Sequence, residues 1–96
     1  MTAAQRTNFR KMKALRKQID AIDRVLLRLM ARRAQVARAV GERKRRLSLP
    51  MKDALRERRI VRQRVQHGRA LGLDAPTIRK FMRMIITVSR RAQRQK

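Results

Sequence analysis

Apolar residues recur at Leu15, Ile19, Ile22, Leu26, Leu29, Val36 and Val40, in steps of four and three that mark one face of a long α-helix. Position 33 of that series carries an arginine where an aliphatic residue is expected, and continuing the face past Val40 leads to Arg43 and Lys44. The stripe gives way to cations toward its C-terminal end. "LSLP" at 47–50 closes the helix, because the residue before a proline resists the helical conformation. A second helix starts near Lys52 or Asp53, carries Leu55, Ile60, Val61 and Val65, and ends between residues 68 and 72. "GLDAP" restarts the chain, with Asp74 as an N-cap and Pro76 in the first turn. The third helix presents Ile78, Phe81, Met82, Ile85, Ile86 and Val88, and the same face runs on to Ser89, Ala92 and Gln93.

These patterns predict an all-α protein, a single domain over residues 1–96 with helices at about 10–46, 52–70 and 75–94 and the first dozen residues open to disorder. A helix over 10–46 is roughly 50 Å long, whereas a compact chain of this length has a radius of gyration of only ~12 Å. Such a helix overhangs its own domain. A second copy paired along it would cover both apolar faces, so an intertwined two-fold dimer is expected.

Composition narrows the chemistry. The 96 residues include 29 Lys and Arg against six Asp and Glu, a net charge of +23. That surplus points first to nucleic acid, since each cation that meets a phosphate releases counterions. The cations are nevertheless spread through every segment, and Phe9 and Phe81 are too few for a base-stacking platform. What the charge guarantees is a general attraction to polyanions. With no cysteine and a lone histidine, His67, neither a disulfide framework nor a zinc site is expected. No apolar run reaches signal or membrane-spanning length, which makes the cytoplasm the expected address.

Each helix carries an anomaly on its apolar face: Arg33 and Lys44 on the first, Asp53, Arg56 and Glu57 on the second, Ser89 and Gln93 on the third. Taken singly these have plain readings, as a carboxylate pair at a helix start or a snorkelling arginine. Taken together they place cations on seams where an unpaired guanidinium costs several kcal/mol, and the chain has few carboxylates to answer them. A small anionic ligand between helices fits that imbalance.

At these same positions the chain resembles the all-helical class of chorismate mutases, especially the mutase domain of bacterial bifunctional enzymes. The resemblance is carried by "LRKQIDAIDRVLLRLMARR" at 15–33, "VGERK" at 40–44, "DALRERR" at 53–59, "LGLDA" at 71–75, and Ser89 with Gln93. It implies a homodimer of three-helix chains that rearranges chorismate to prephenate, on the route to phenylalanine and tyrosine, with no cofactor and no metal. It further implies that Arg33 and Arg16, the latter from the partner subunit, grip the substrate's two carboxylates. Lys44 and Gln93 would donate to the ether oxygen and Glu57 would hold the ring hydroxyl, with Asp53, Arg56 and Ser89 shaping the pocket. Asp74 then reads as a cap only, and Asp20, Asp23 and Glu42 as partners of nearby helical arginines.

Two alternatives accompany this expectation: an isochorismate pyruvate-lyase on the same scaffold, and a basic helical nucleic-acid-binding protein. The solvent faces carry Arg, Lys, Gln or Ala where relatives carry glutamate, as in "RRLSLPMK" and "SRRAQRQK". That fits an unusually basic natural homologue or a redesigned, supercharged one.

Overall fold

A computed structural model describes residues 1–95 and consists of three α-helices: α1 (Ala3–Arg46), α2 (Ala54–Ala70) and α3 (Ala75–Arg94). The sequence-based ends of α2 and α3 agree with these bounds to within two residues. Helix α1 instead starts at Ala3, so most of the first dozen residues, left open to disorder by the sequence, are helical. At 44 residues it is about 66 Å long. Among the described residues no helix is long and apolar enough to cross a membrane.

The described chain divides inside α1 into two compact units, Met1–Ala31 and a second that begins at Arg32. The first is helix alone. Its apolar stripe, Leu15, Ile19, Ile22, Leu26 and Leu29, is 48–58% exposed, which leaves the face unburied in a single chain. The second unit holds the core, where Ile60 of α2 meets Ile78, Met82 and Ile85 of α3, with Val61 and Val65 packed against them. Leu55, expected on that face, is instead exposed.

In this second unit the seam of α1 includes small residues that the periodicity does not mark. Val36 and Val40 are exposed, while Ala37 and Gly41 are buried. Arg33, Ala37, Gly41 and Lys44 form the inward row, and its small members let α3 approach closely. A Cβ on Gly41 would lie 2.2 Å from the Gln93 carbonyl oxygen and 2.6 Å from the Gln93 Cα, so only glycine tolerates this crossing. Gly68 serves a similar purpose between α2 and α3, where its missing side chain makes room for Ile78.

Both interhelical connections open with the same hydrogen-bond pattern. At the end of α1 the Leu49 N–H donates to the Lys44 carbonyl (2.8 Å) and the Ser48 N–H to that of Arg45 (3.2 Å). At the end of α2 the Leu73 N–H donates to the Gly68 carbonyl and the Gly72 N–H to that of Arg69, both at 3.0 Å. This 6→1 and 5→2 pairing requires a left-handed residue, supplied by Ser48 (φ 53°) and Gly72 (φ 88°). Pro50 therefore follows a stop that the Ser48 turn has already made. Each next helix is then capped by an aspartate: Asp53 accepts from the Arg56 N–H and Asp74 from the Thr77 N–H, both at 3.0 Å.

Candidate active site

Seven of the eight residues singled out from the sequence, Arg33, Lys44, Asp53, Arg56, Glu57, Ser89 and Gln93, line one cavity of about 250 Å³ among the three helices of the second unit. The eighth, Arg16, has an exposed side chain on the first unit, and its expected role belongs to a second copy of the chain.

Arg33 projects from the inward row of α1 and is partly buried. Its Nη1 donates to the Ser89 hydroxyl and, at 3.5 Å, approaches the Ile85 carbonyl. Burial lowers its pKa from the ordinary arginine value, and the nearby charges of Arg64 and Arg56 push the same way. Among the described residues the ion pairs are Arg46 with Glu42 and Arg90 with Glu57, so no carboxylate offsets this cost. A desolvated guanidinium crowded by other guanidiniums favours an anion beside it.

Lys44 lies three turns further along α1. Its Nζ donates to the Met51 carbonyl and to the Gln93 side-chain Oε1, each at 2.7 Å. An ammonium has three protons, so one is left for the cavity. The second contact also fixes the Gln93 amide: with Oε1 accepting from Lys44, its NH₂ is the group free to donate. The Gln93 carbonyl accepts from Arg45 Nη1 at 2.8 Å, which pins this turn of α3 to α1 where Gly41 lets the backbones close. Two donors of this kind, supplied to one cavity from two helices, can stabilise negative charge developing on an oxygen.

On α2, Asp53 is both the N-cap and part of the cavity wall, so the plain and the functional readings of this carboxylate coincide. Glu57, one turn on, is bridged from α3 by Arg90. The arginine Nε lies 3.0 Å from both carboxylate oxygens, and Nη2 lies 2.5 and 2.6 Å from them. Arg90 lines the same cavity and was not singled out from the sequence. The signal was available, because Ile86, Arg90 and Gln93 share one helical face of α3. The wall thus carries Arg33, Lys44, Arg56 and Arg90 against Asp53 and Glu57, a surplus of two positive charges suited to a small dianion.

Comparison with known proteins fits this arrangement. The family model for chorismate mutase type II matches residues 15–94. The chain belongs to the type II chorismate mutase family. It is 35% identical over 83 residues to the T-protein of Enterobacter agglomerans, a match covering 86% of this chain and 22% of that protein. To the bifunctional chorismate mutase/prephenate dehydratase of Escherichia coli it is 38% identical over 73 residues, covering 76% and 19%. The chain thus spans about a fifth of the length of these curated relatives. Among solved structures it is similar to a conserved hypothetical protein from Pyrococcus furiosus, with a TM-score of 0.71 and 33% identity, over 88% of this chain and 96% of that one. The family and its named members support chorismate mutase function, and support neither the pyruvate-lyase nor the nucleic-acid alternative.

Proposed function

We propose that the chain converts chorismate to prephenate by a non-covalent [3,3] rearrangement, as a homodimer whose cavities are each completed by Arg16 of the partner subunit. The observation that carries this reading is the convergence of Lys44 and the oriented Gln93 amide on a cavity that also presents partly buried Arg33. A sigmatropic rearrangement needs no nucleophile, proton relay or metal. It needs the substrate held folded, with its side chain over the ring, and stabilisation of the charge that builds on the ether oxygen as its bond to the ring stretches.

Arg33 pairs with one substrate carboxylate, its planar fork matching the two oxygens, and the partner's Arg16 takes the other. The third Lys44 proton and the Gln93 NH₂ meet the ether oxygen. Glu57 accepts the ring hydroxyl, while Asp53, Arg56 and Ser89 fix the shape of the wall. The dimer reading is supported by the exposed stripe of Leu15, Ile19, Ile22, Leu26 and Leu29, an apolar face on a helix far longer than a domain of this size needs. The substrate class accounts for a cytoplasmic site of action, and the +23 charge adds a salt-sensitive, non-specific attraction to polyanions.

The test is loss of chorismate absorbance with purified protein, the product identified as prephenate by its acid conversion to phenylpyruvate, beside an Arg33→Ala control. Prephenate from the parent and not from the control supports both the activity and the site. Two helical proteins that both leave chorismate untouched would overturn the catalytic reading.

A further inference from the structure

Glu57 sits in an unusual electrostatic position. From α1 it faces Arg33 and Lys44 across the cavity, and on α2 its neighbours are Asp53 and Arg56. On its other side a second groove between α2 and α3 is lined by Arg58, Arg62 and Arg83. Glu57 and Arg90 line both spaces, so the pair forms the wall between them. A lone carboxylate amid that many cations has several competing partners, each drawing it to a different rotamer.

Arg90 removes this freedom. Its fork meets Glu57 edge-on, with Nε and Nη2 both in reach of the two carboxylate oxygens, an arrangement that fixes the plane of the carboxylate as well as its position. The carboxylate is largely shielded, at 18% exposure, while the guanidinium remains 38% exposed on the wall. The two N–H groups of the fork are shared over both oxygens, which leaves the carboxylate further acceptor capacity on the cavity that Glu57 lines. It also neutralises Glu57, so a dianion entering the site meets a paired acid.

We infer that Arg90 is a positioning residue: it holds Glu57 in the one orientation that accepts a substrate hydroxyl, and it acts through Glu57 without gripping a substrate carboxylate itself. This inference rests on the mutase reading above. It makes Arg90, on α3, a determinant of selectivity for substrates that bring a hydroxyl donor to this wall.

The experiment is a double-mutant cycle on chorismate turnover, with Arg90→Met and Arg90→Lys each made in the parent and in Glu57→Gln. The parent is measured first, since a parent without turnover overturns the functional reading and not the positioning one. With an active parent, Arg90→Met is expected to lower kcat/KM by about tenfold or more, the scale of one hydrogen bond to a charged group, and to divide the loss between kcat and KM as Glu57→Gln does. In the Glu57→Gln background it adds no further loss. Arg90→Lys, which keeps the charge and loses the fork, recovers part of the activity. Independent, multiplying losses in the double variant, or a loss confined to KM that Glu57→Gln does not share, would overturn the inference and make Arg90 a direct substrate clamp. If Arg90→Met loses its helical circular dichroism signal, the same cycle is read with Arg90→Lys.

Discussion

Replacing Gly41 by alanine puts one methyl group into the tightest crossing of the second unit. The new Cβ falls 2.2 Å from the Gln93 carbonyl oxygen, against the 3.4 Å at which ordinary contact begins, so about 1.2 Å must be found. The atoms in the way are backbone, and the same carbonyl is held by Arg45 at 2.8 Å, so no side-chain rotation provides the room. The end of α3 must retreat from α1, and it carries the Gln93 amide away from Lys44. Misplacement of a reacting group by ~1 Å can cost about 10²-fold in rate, and overpacking of this kind typically costs ~1–3 kcal/mol in stability. Gly41→Ala is therefore expected to keep its helical spectrum, melt several degrees below the parent, and lose about 10²-fold in kcat for chorismate. Steady-state kinetics with a thermal melt on the same sample reads both numbers. A variant with parental kcat and parental melting temperature would show that α1 and α3 do not cross as described, and the account of how Lys44 and Gln93 are brought together would fall with it.

The remaining expectations are shorter. Lys44→Ala should reduce kcat by about 10²-fold or more with a smaller change in KM, because the donor acts on charge that develops in the transition state; near-normal turnover would sink its assignment. Gly68→Ala should be mild, within ~1 kcal/mol of the parent by denaturant unfolding, because the obstructing atom is the flexible tip of Ile78 and alanine improves helix propensity. A large destabilisation there would mean that Ile78 cannot move. Asp74 is held below its ordinary pKa of 3.8 chiefly by the Thr77 N–H. A depressed acid contributes stability above its unfolded pKa and loses it as pH falls through the folded value, so Asp74→Ala should melt earlier than the parent at neutral pH and converge with it below the carboxylate range. Raising salt from about 0.05 to 0.5 M should lower kcat/KM severalfold if the surplus charge steers a dianion, and a flat profile would refute that steering.

The sequence made the three helices and most of the cavity legible for different reasons. The breaks at residues 47–53 and 71–75 are written locally, in a proline, a glycine and two capping aspartates, so the helix ends were recovered closely. The polar members of the site were visible as faults in apolar stripes, which is why Arg33, Lys44, Glu57 and Gln93 could be named before any coordinates. The small members of the α1 seam beyond Arg33 were not legible because periodicity gives weight to bulky residues: Val36 and Val40, which line the cavity, carry the pattern, while Ala37 and Gly41 are the ones buried. Close approach selects small side chains, and these leave little mark on a hydrophobic profile. Arg90 was missed for the opposite reason. In a chain with 29 cations one more arginine carries no information, and its partner lies 33 positions away on another helix.

That asymmetry says where to look in so basic a chain. When nearly a third of all residues are cations, a positive charge at a given position has little diagnostic value, and the six acids become the informative set. Four of them have a definite structural use. Asp53 and Asp74 cap α2 and α3, Glu42 pairs with Arg46 one turn away on an exposed face, and Glu57 alone is held by a residue from another helix. A cap satisfies backbone donors, and an exposed pair one turn apart contributes only a few tenths of a kcal/mol, so three of the four are explained by local helix physics. Glu57 is not. Its side chain is largely shielded, its partner is distant in sequence, and it lines the cavity that also holds Arg33, Lys44 and Gln93. Retaining a partly buried acid on this face has a desolvation cost that an apolar residue would avoid, so the position is best understood by what the acid can accept from the cavity.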